Sequence, residues 1–363
     1  MYSGTVKPGL ATLAESCPAW LRGARLGLVA NPASVAFVEG RQRHAVGVLR
    51  SLDLRLVRLF SPEHGLYGSA QEGQEVKDGL DPHSGLAVIS LYGARRAPER
   101  EHLADLEALV FDLQDVGVRV FTYLSTLKAC LQRCAEAGIL LVVLDRPNPL
   151  GRKRFGPGLS PGFESFVGAH DVRYGHGLTL GELAAQIAQD LGVASTLRVL
   201  PVTGWQGEPW HETGLPWLAP SPNLPSFSSA QLYPATVFFE GTNVSEGRGT
   251  AQPFRHLGAP WLDGFALAEA LKARALPGLR VEAASFTPRR SKHQGLRVSG
   301  VSLQVTDWEH YEPVTTALAL LSETRAQNPE RFTWLKAGSR YLTDLLYGSD
   351  GLRLQVSAQP LAF

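Results

Sequence analysis

Carboxylates placed just after apolar runs are the residues of this chain best suited to chemistry. Glu63 lies in Ser61-Pro62-Glu63-His64-Gly65, a proline-stiffened turn that follows the run Leu54–Phe60. Asp112 and Asp115 stand three apart across the end of the run Leu109–Leu113. Asp145-Arg146 follows Ile139–Leu144. Paired carboxylates serve glycosidic cleavage, where one protonates the leaving oxygen and the other attacks or stabilises the developing cation. The same residue types also hold Mg²⁺, and spacing alone does not separate the two chemistries. Glu63 reads as a general acid or, structurally, as a loop residue or cap. Glu72, in Gln71-Glu72-Gly73, reads as a second acid of the same cleft or as a surface side chain. One of Asp112 and Asp115 reads as the second carboxylate and the other as a loop anchor. His64, Arg119 and Arg146 are the local cations, with Asp145-Arg146 open to being an internal ion pair.

A second block, Glu240-Gly241-Thr242-Asn243-Val244-Ser245-Glu246-Gly247-Arg248-Gly249-Thr250, is dense in hydrogen-bonding groups. Arg248 stands between two glycines, which lets backbone and ligand approach closely, and a guanidinium there suits a carboxylate or phosphate. The structural alternative is an arginine that bonds loop carbonyls. Asn243 and Glu246 are the neighbouring candidates for binding. The stretch Thr203–Phe227 carries Trp205, Trp210 and Trp217 among prolines, either to stack on sugar faces or to pack the loop down. No strand is followed by G-x-G-x-x-G, and P-loop, H-E-x-x-H, G-x-S-x-G and paired C-x-x-C motifs are missing. No cofactor or metal is therefore implied.

The elements that must position these groups follow from periodicity. Short apolar runs at Leu26–Ala30, Leu54–Phe60, Leu86–Leu91, Leu109–Leu113 and Ile139–Leu144 read as strands, with helices at Arg41–Leu52, Pro98–Leu106 and Phe121–Ala137 between them. Near-continuous apolar strands alternating with helices predict a parallel sheet covered on both faces. Ligands of such sheets bind beyond the carboxyl ends of the strands, where the acids stand. The second half predicts helices at Thr179–Leu191, Phe265–Ala275 and His310–Gln327, and strands at Leu197–Val202, Ala235–Phe239, Gly278–Phe286 and Val301–Thr306. The expected organisation is α/β, with domains at 1–150 and 151–363.

Composition narrows the class. The 363 residues are 44% hydrophobic and 19% charged, an ordinary globular balance. Lys+Arg number 35 against 34 Asp+Glu, so there is no basic excess to hold nucleic acid. No stretch reaches the roughly 18 apolar residues of a membrane span. Cys17, Cys130 and Cys134 are too few for a disulfide framework, and the last two read as buried thiols on one helix face. With no apolar signal core at the N-terminus, the expected location is cytoplasmic, or exported if a leader has been removed.

Taken together, Gly27–Pro32 (GLVANP), Leu59–Gly68 (LFSPEHGLYG), Ser90–Gly93 (SLYG), Val110–Thr126 (VFDLQDVGVRVFTYLST), Val142–Gly151 (VVLDRPNPLG), Gly214–Pro222 (GLPWLAPSP) and Glu240–Phe254 (EGTNVSEGRGTAQPF) resemble the NamZ-type exo-β-N-acetylmuramidases, in order over most of the chain. The resemblance implies a Rossmann-like N-terminal domain, a smaller mixed α/β domain and an active-site cleft between them. It implies release of N-acetylmuramic acid from the non-reducing end of peptidoglycan fragments, with Glu63 in the position of the family's catalytic glutamate. Asp115 or Glu72 would assist. His64, Asp112, Arg146, Asn243, Glu246 and Arg248 would bind a small-molecule substrate, a disaccharide or muropeptide containing N-acetylmuramic acid. Arg152 stands where the family pattern has a second glycine after Gly151. The competing readings are a metal-dependent hydrolase built on Glu63, Asp112 and Asp115, and a muropeptide-binding module without catalysis.

Overall fold

The computed structural model describes residues 6–68 and 77–358, so Glu72 lies outside the described residues. The chain forms two compact units. The first takes residues 6–117, 121–153 and 177–222; the second takes 118–120, 154–176 and 223–358. The chain returns to the first unit after residue 176, so no single boundary near residue 150 separates the two.

The first unit contains strands β1 (Arg25–Ala30), β2 (Val35–Val38), β3 (Arg41–His44), β4 (Arg55–Ser61), β5 (Gly79–Leu80), β6 (Ala87–Ser90), β7 (Ala108–Asp112), β8 (Leu140–Leu144) and β9 (Leu197–Leu200). Seven of them form one sheet in the order β5-β6-β4-β1-β7-β8-β9. Every pairing is parallel except the short edge pair β5–β6. Leu26, Leu28 and Ala30 of β1, with Val110 of β7 and Val142 and Leu144 of β8, pack against Leu10, Leu13, Val48 and Leu49. The alternate residues Val29, Leu109, Phe111, Leu141 and Val143 are buried as well. Both faces are covered, which is why the central strands read as unbroken apolar runs. β9 joins the sheet beside β8 and carries the chain past residue 150 back into this unit.

Two local readings change and one holds. Residues 41–44, expected as the start of a helix, pair with β2 as a hairpin, and the helix begins at Ala45 behind His44, whose ring accepts the Val46 N–H. The helix from Tyr123 to Ala137 ends at Gly138 in the left-handed conformation, φ 70°, as expected. Arg119 is not at the sheet edge. It is fully buried in the second unit, where it donates to the carbonyls of Pro157, Val172 and Tyr347, and burial lowers its pKa.

The second unit is built on an antiparallel sheet of β10 (His256–Ala259), β11 (Leu279–Phe286) and β12 (Val298–Val305), in the order β10-β12-β11. Helices Gly264–Ala273 and Pro313–Gln327 belong to the same unit. The run Ala235–Phe239 is not a strand. Helix Phe227–Thr236 continues into a 3-10 turn, Val237–Gly241. Val237, Phe238 and Phe239 are buried all round, and an apolar run of that kind carries no period to tell strand from helix. Cys130 and Cys134 are buried free thiols, and burial pushes Cys134 up to about 12.

Helix Leu180–Asp190 shows how sequence, cap and sheet edge are coupled. Thr179 and Glu182 form a reciprocal capping box. Asp145, buried just beyond β8, accepts from Thr179 Oγ1 at 2.8 Å and from the Gly181 N–H at 2.7 Å. Burial raises the Asp145 carboxyl, and these two donors offset part of that rise. A Cβ on Gly181 would lie 2.7 Å from both Asp145 Cγ and Val199 Cγ1. Thr179→Ala is therefore expected to cost about 1 kcal/mol, and Gly181→Ala about 1–3 kcal/mol through overpacking. Urea unfolding of both variants checks the order of the two losses.

Candidate active site

β4 ends at Ser61, and the turn that follows places Glu63 half-buried at the carboxyl edge of the sheet. Thr122 Oγ1 donates to Glu63 Oε2 at 2.9 Å. His64 holds φ at +76°, a left-handed conformation that costs a residue with a Cβ roughly 1–2 kcal/mol. That bend turns its ring so that Nε2 lies 3.0 Å from Ser221 Oγ. Strain of this kind persists where surrounding contacts over-determine it. Here the contacts come from three distant segments. Tyr123, next to Thr122, donates its hydroxyl to the Pro220 carbonyl at 2.6 Å and accepts from Asn31 Nδ2 at 2.8 Å. Asn31 also reaches the Pro220 carbonyl at 3.2 Å. Burial, with a contribution from the Glu63 charge, raises the Tyr123 phenol and keeps it neutral. The result is a Glu63 carboxylate held by a neutral hydroxyl, on a scaffold fixed from Asn31, Thr122-Tyr123 and Pro220-Ser221. Such a group can deliver and recover a proton.

Asp112 and Arg146 have a different fate. Arg146 Nε donates to Asp112 Oδ1 at 2.6 Å and Nη2 to Oδ2 at 2.9 Å, a bidentate pair with side chains 0% and 4% exposed. Nη1 reaches the Val35 carbonyl at 3.1 Å. Ser34 Oγ donates to the Asp112 carbonyl. The ion pair is thus Asp112–Arg146 and not Asp145–Arg146. Asp115 is buried too, and its Oδ2 accepts the Gly117 N–H at 2.7 Å, which makes it a loop anchor. Among the described residues, Glu63, Asp112 and Asp115 do not form a set of three whose donor atoms all lie within 4.8 Å of one another. Both Asp112 oxygens serve a guanidinium, which takes them from the ligand set that a metal-dependent hydrolase would need.

A cavity of about 200 Å³ also lies in the first unit, lined by Ala33, Phe37, Gln114, Arg146, Trp210 and Leu218 among others. Glu63 and His64 are not part of its wall. The tryptophans pack the loop down: Trp205 Nε1 donates to the Glu208 carbonyl, and the Trp210 and Trp217 rings meet edge-on at 5.3 Å.

In the second unit Arg248 is engaged, contrary to the open guanidinium expected from its flanking glycines. It pairs with Glu240 through Nη2 and with Glu246 through Nε at 3.1 Å, and lies 4.9 Å from the Phe254 ring centre. Glu246, 2% exposed, also binds Lys292 Nζ at 2.9 Å. Burial works to raise the Glu246 carboxyl, but Lys292 and Arg248 hold it below the usual range. Asn243 ties main chain together, donating to the Arg331 carbonyl at 2.7 Å and accepting the Thr333 N–H at 3.0 Å.

Sequence reasoning picked out Glu63 and His64 but missed Asn31, Thr122, Tyr123 and Ser221, although all four fall inside the blocks that carried the resemblance. It also missed Lys292, which no motif marks. Replacing Asp112 by Asn leaves Arg146 buried without its counter-charge, and is expected to cost about 3–5 kcal/mol. Glu63→Gln leaves that pair intact, so chemical denaturation should separate the two variants clearly.

The profile described as exo-beta-N-acetylmuramidase NamZ, N-terminal, matches residues 26–228, and the one described as exo-beta-N-acetylmuramidase NamZ, C-terminal, matches residues 231–361. The peptidoglycan beta-N-acetylmuramidase NamZ of Bacillus subtilis (strain 168) is 41% identical over 354 residues, 97% of this chain and 84% of that protein. Two crystal structures of DUF1343 family proteins from Bacteroides fragilis NCTC 9343 are similar throughout. One has a TM-score of 0.86 at 31% identity and the other 0.75 at 26%; each alignment covers 98% of this chain and 92% of the other. With both profiles matched in order, the chain belongs to the NamZ family of exo-β-N-acetylmuramidases.

Proposed function

We infer that this chain is an exo-acting glycoside hydrolase that releases N-acetylmuramic acid from the non-reducing end of peptidoglycan fragments. Family membership supports the reaction. The observation that carries the mechanism is the Glu63 carboxylate at the carboxyl end of β4, gripped by Thr122 next to a backbone-strained His64. Glu63 protonates the glycosidic oxygen as the bond to the anomeric carbon breaks. Thr122 fixes the carboxyl's orientation, and the His64–Ser221 contact fixes the turn that bears it.

Asp112 and Asp115 are committed to Arg146 and to the Gly117 N–H. In this reading Asp115 acts by holding the loop after β7, and the Asp112–Arg146 pair acts by holding strand ends. Glu72 keeps its expected role as an assisting acid.

A chromogenic β-glycoside of N-acetylmuramic acid tests the reading. Wild-type protein is expected to release the chromophore, to leave the N-acetylglucosamine analogue intact and to be indifferent to EDTA. Glu63→Gln is expected to lower kcat by about 10²–10⁴-fold, the usual worth of a positioned acid, with the unfolding midpoint unchanged. Wild-type rates in Glu63→Gln, or loss of turnover with EDTA, would contradict it.

A further inference from the structure

The parallel sheet of the first unit divides at β1. In the order β5-β6-β4-β1-β7-β8-β9 the chain builds outward from β1 to one side through β4 and β6, and to the other through β7 and β8. The crevice beyond the carboxyl ends at such a division is where open α/β sheets take their ligands. The cavity of about 200 Å³ lies there. Ala33 follows β1, Gln114 follows β7 and Arg146 follows β8, and all three line it. Every lining residue belongs to the first unit.

Its wall is apolar and its rim is charged. Pro8, Ala11, Ala36, Phe37, Leu215 and Leu218 supply the wall. An apolar cavity of about 150 Å³ takes benzene, so this one has room for a phenyl or isobutyl group and little more. An acetamido sugar is too large for it. Gln114 Oε1 and Trp210 Nε1, on two of the lining residues, are buried and have no hydrogen-bond partner among the described residues. Buried polar atoms are nearly all paired in a finished interior, and protein atoms alone do not complete this one. At the exposed rim, Lys7 Nζ meets Glu15 Oε1 at 2.7 Å, with side chains 46% and 59% exposed. A pair so exposed holds weakly and exchanges partners at little cost. The backbone that carries it is fixed. Lys7 donates to the Thr203 carbonyl at 2.8 Å and accepts from the Thr203 N–H at 2.9 Å, and the Gly9 N–H reaches the Asp145 carbonyl at 2.7 Å.

We propose that this cavity binds a free α-amino acid whose side chain is apolar and of leucine or phenylalanine size. The side chain fills the apolar wall. The α-carboxylate meets the Lys7 ammonium and the α-ammonium meets the Glu15 carboxylate, so two charge-assisted contacts replace one exposed ion pair. A cation and an anion side by side give no advantage to a ligand of single charge, whereas a zwitterion satisfies both. The volume excludes a larger body, and the wall disfavours a polar one. Neither Glu63 nor His64 stands in the wall, so the site needs nothing of the glycosidase reading.

Titration calorimetry and thermal unfolding with L-leucine and L-phenylalanine test the proposal. Glycine serves as the charged head alone, benzyl alcohol as the apolar body alone, and N-acetyl-L-leucine as a ligand without the ammonium. Leucine and phenylalanine are expected to raise the unfolding midpoint and to bind at least about 10-fold tighter than any of the three controls, the worth of one hydrogen bond to a charged group. Glu15→Gln and Lys7→Gln alter exposed side chains, so each should fold with a nearly unchanged midpoint and weaken leucine binding by about 10-fold. A crystal soaked with leucine needs no variant. It should place the α-carboxylate within about 3.2 Å of Lys7 Nζ, with the side chain against Phe37 and Leu218. Failure of both amino acids to bind at millimolar concentration would overturn the proposal. Benzyl alcohol bound as tightly as phenylalanine would reduce the site to an apolar cavity, and glycine bound as tightly as leucine would reduce it to ion exchange at the rim; either overturns it. So would unchanged leucine affinity in folded Glu15→Gln.

Discussion

A single buried ion pair ties the carboxyl edge of the parallel sheet together. Asp112 ends β7, Arg146 follows β8, and the Arg146 guanidinium reaches on to the Val35 carbonyl in β2 after β1. Parallel strands all deliver their chain ends to one edge, where turns and buried polar groups crowd together and must find partners. The pair answers that demand for three strands with one fork. Its desolvation is costly, so its value lies in fixing geometry more than in net stability. Asn31, Ser34 and Asp112 are linked at the same edge through the Ser34 hydroxyl. From Asn31 the chain of contacts runs to Tyr123, to Pro220 and, through neighbouring residues, to Glu63 and His64.

The two charged centres of the molecule obey opposite rules. In the first unit, Glu63 accepts from the neutral Thr122 hydroxyl beside the backbone-strained His64. In the second, an acid is held by charge, with Lys292, Glu246 and Arg248 stacked behind it.

What was legible in the sequence follows the same division. The central strands could be read because both faces are buried and each is an unbroken apolar run that stops at a polar turn. Glu63 stood out because a proline and a glycine bracket it directly after such a run. The stretch 235–239 misled for the same physical reason: Val237-Phe238-Phe239 is apolar and buried all round, and there the backbone is helical. Arg248 misled because flanking glycines report close backbone approach without saying what approaches; it is the Arg290 main chain at Gly249 and the Gln252 and His256 carbonyls at Gly247. Thr122 and Ser221 were out of reach because they meet Glu63 and His64 across 59 and 157 residues of chain. The resemblance to NamZ-type enzymes covered the stretches in which they stand, but not their contacts.

The claim on which the mechanism turns is that Glu63 gives its proton to the departing oxygen. Its most direct test is the rate of Glu63→Gln relative to wild type across muramic glycosides whose leaving groups differ in acidity. An acidic phenol departs without help and a sugar alcohol does not. The account predicts that the variant's deficit shrinks steadily as the leaving group becomes more acidic, and is largest for the natural sugar aglycone. A deficit of the same size for every leaving group would contradict it, and would place Glu63 in binding or in a later step.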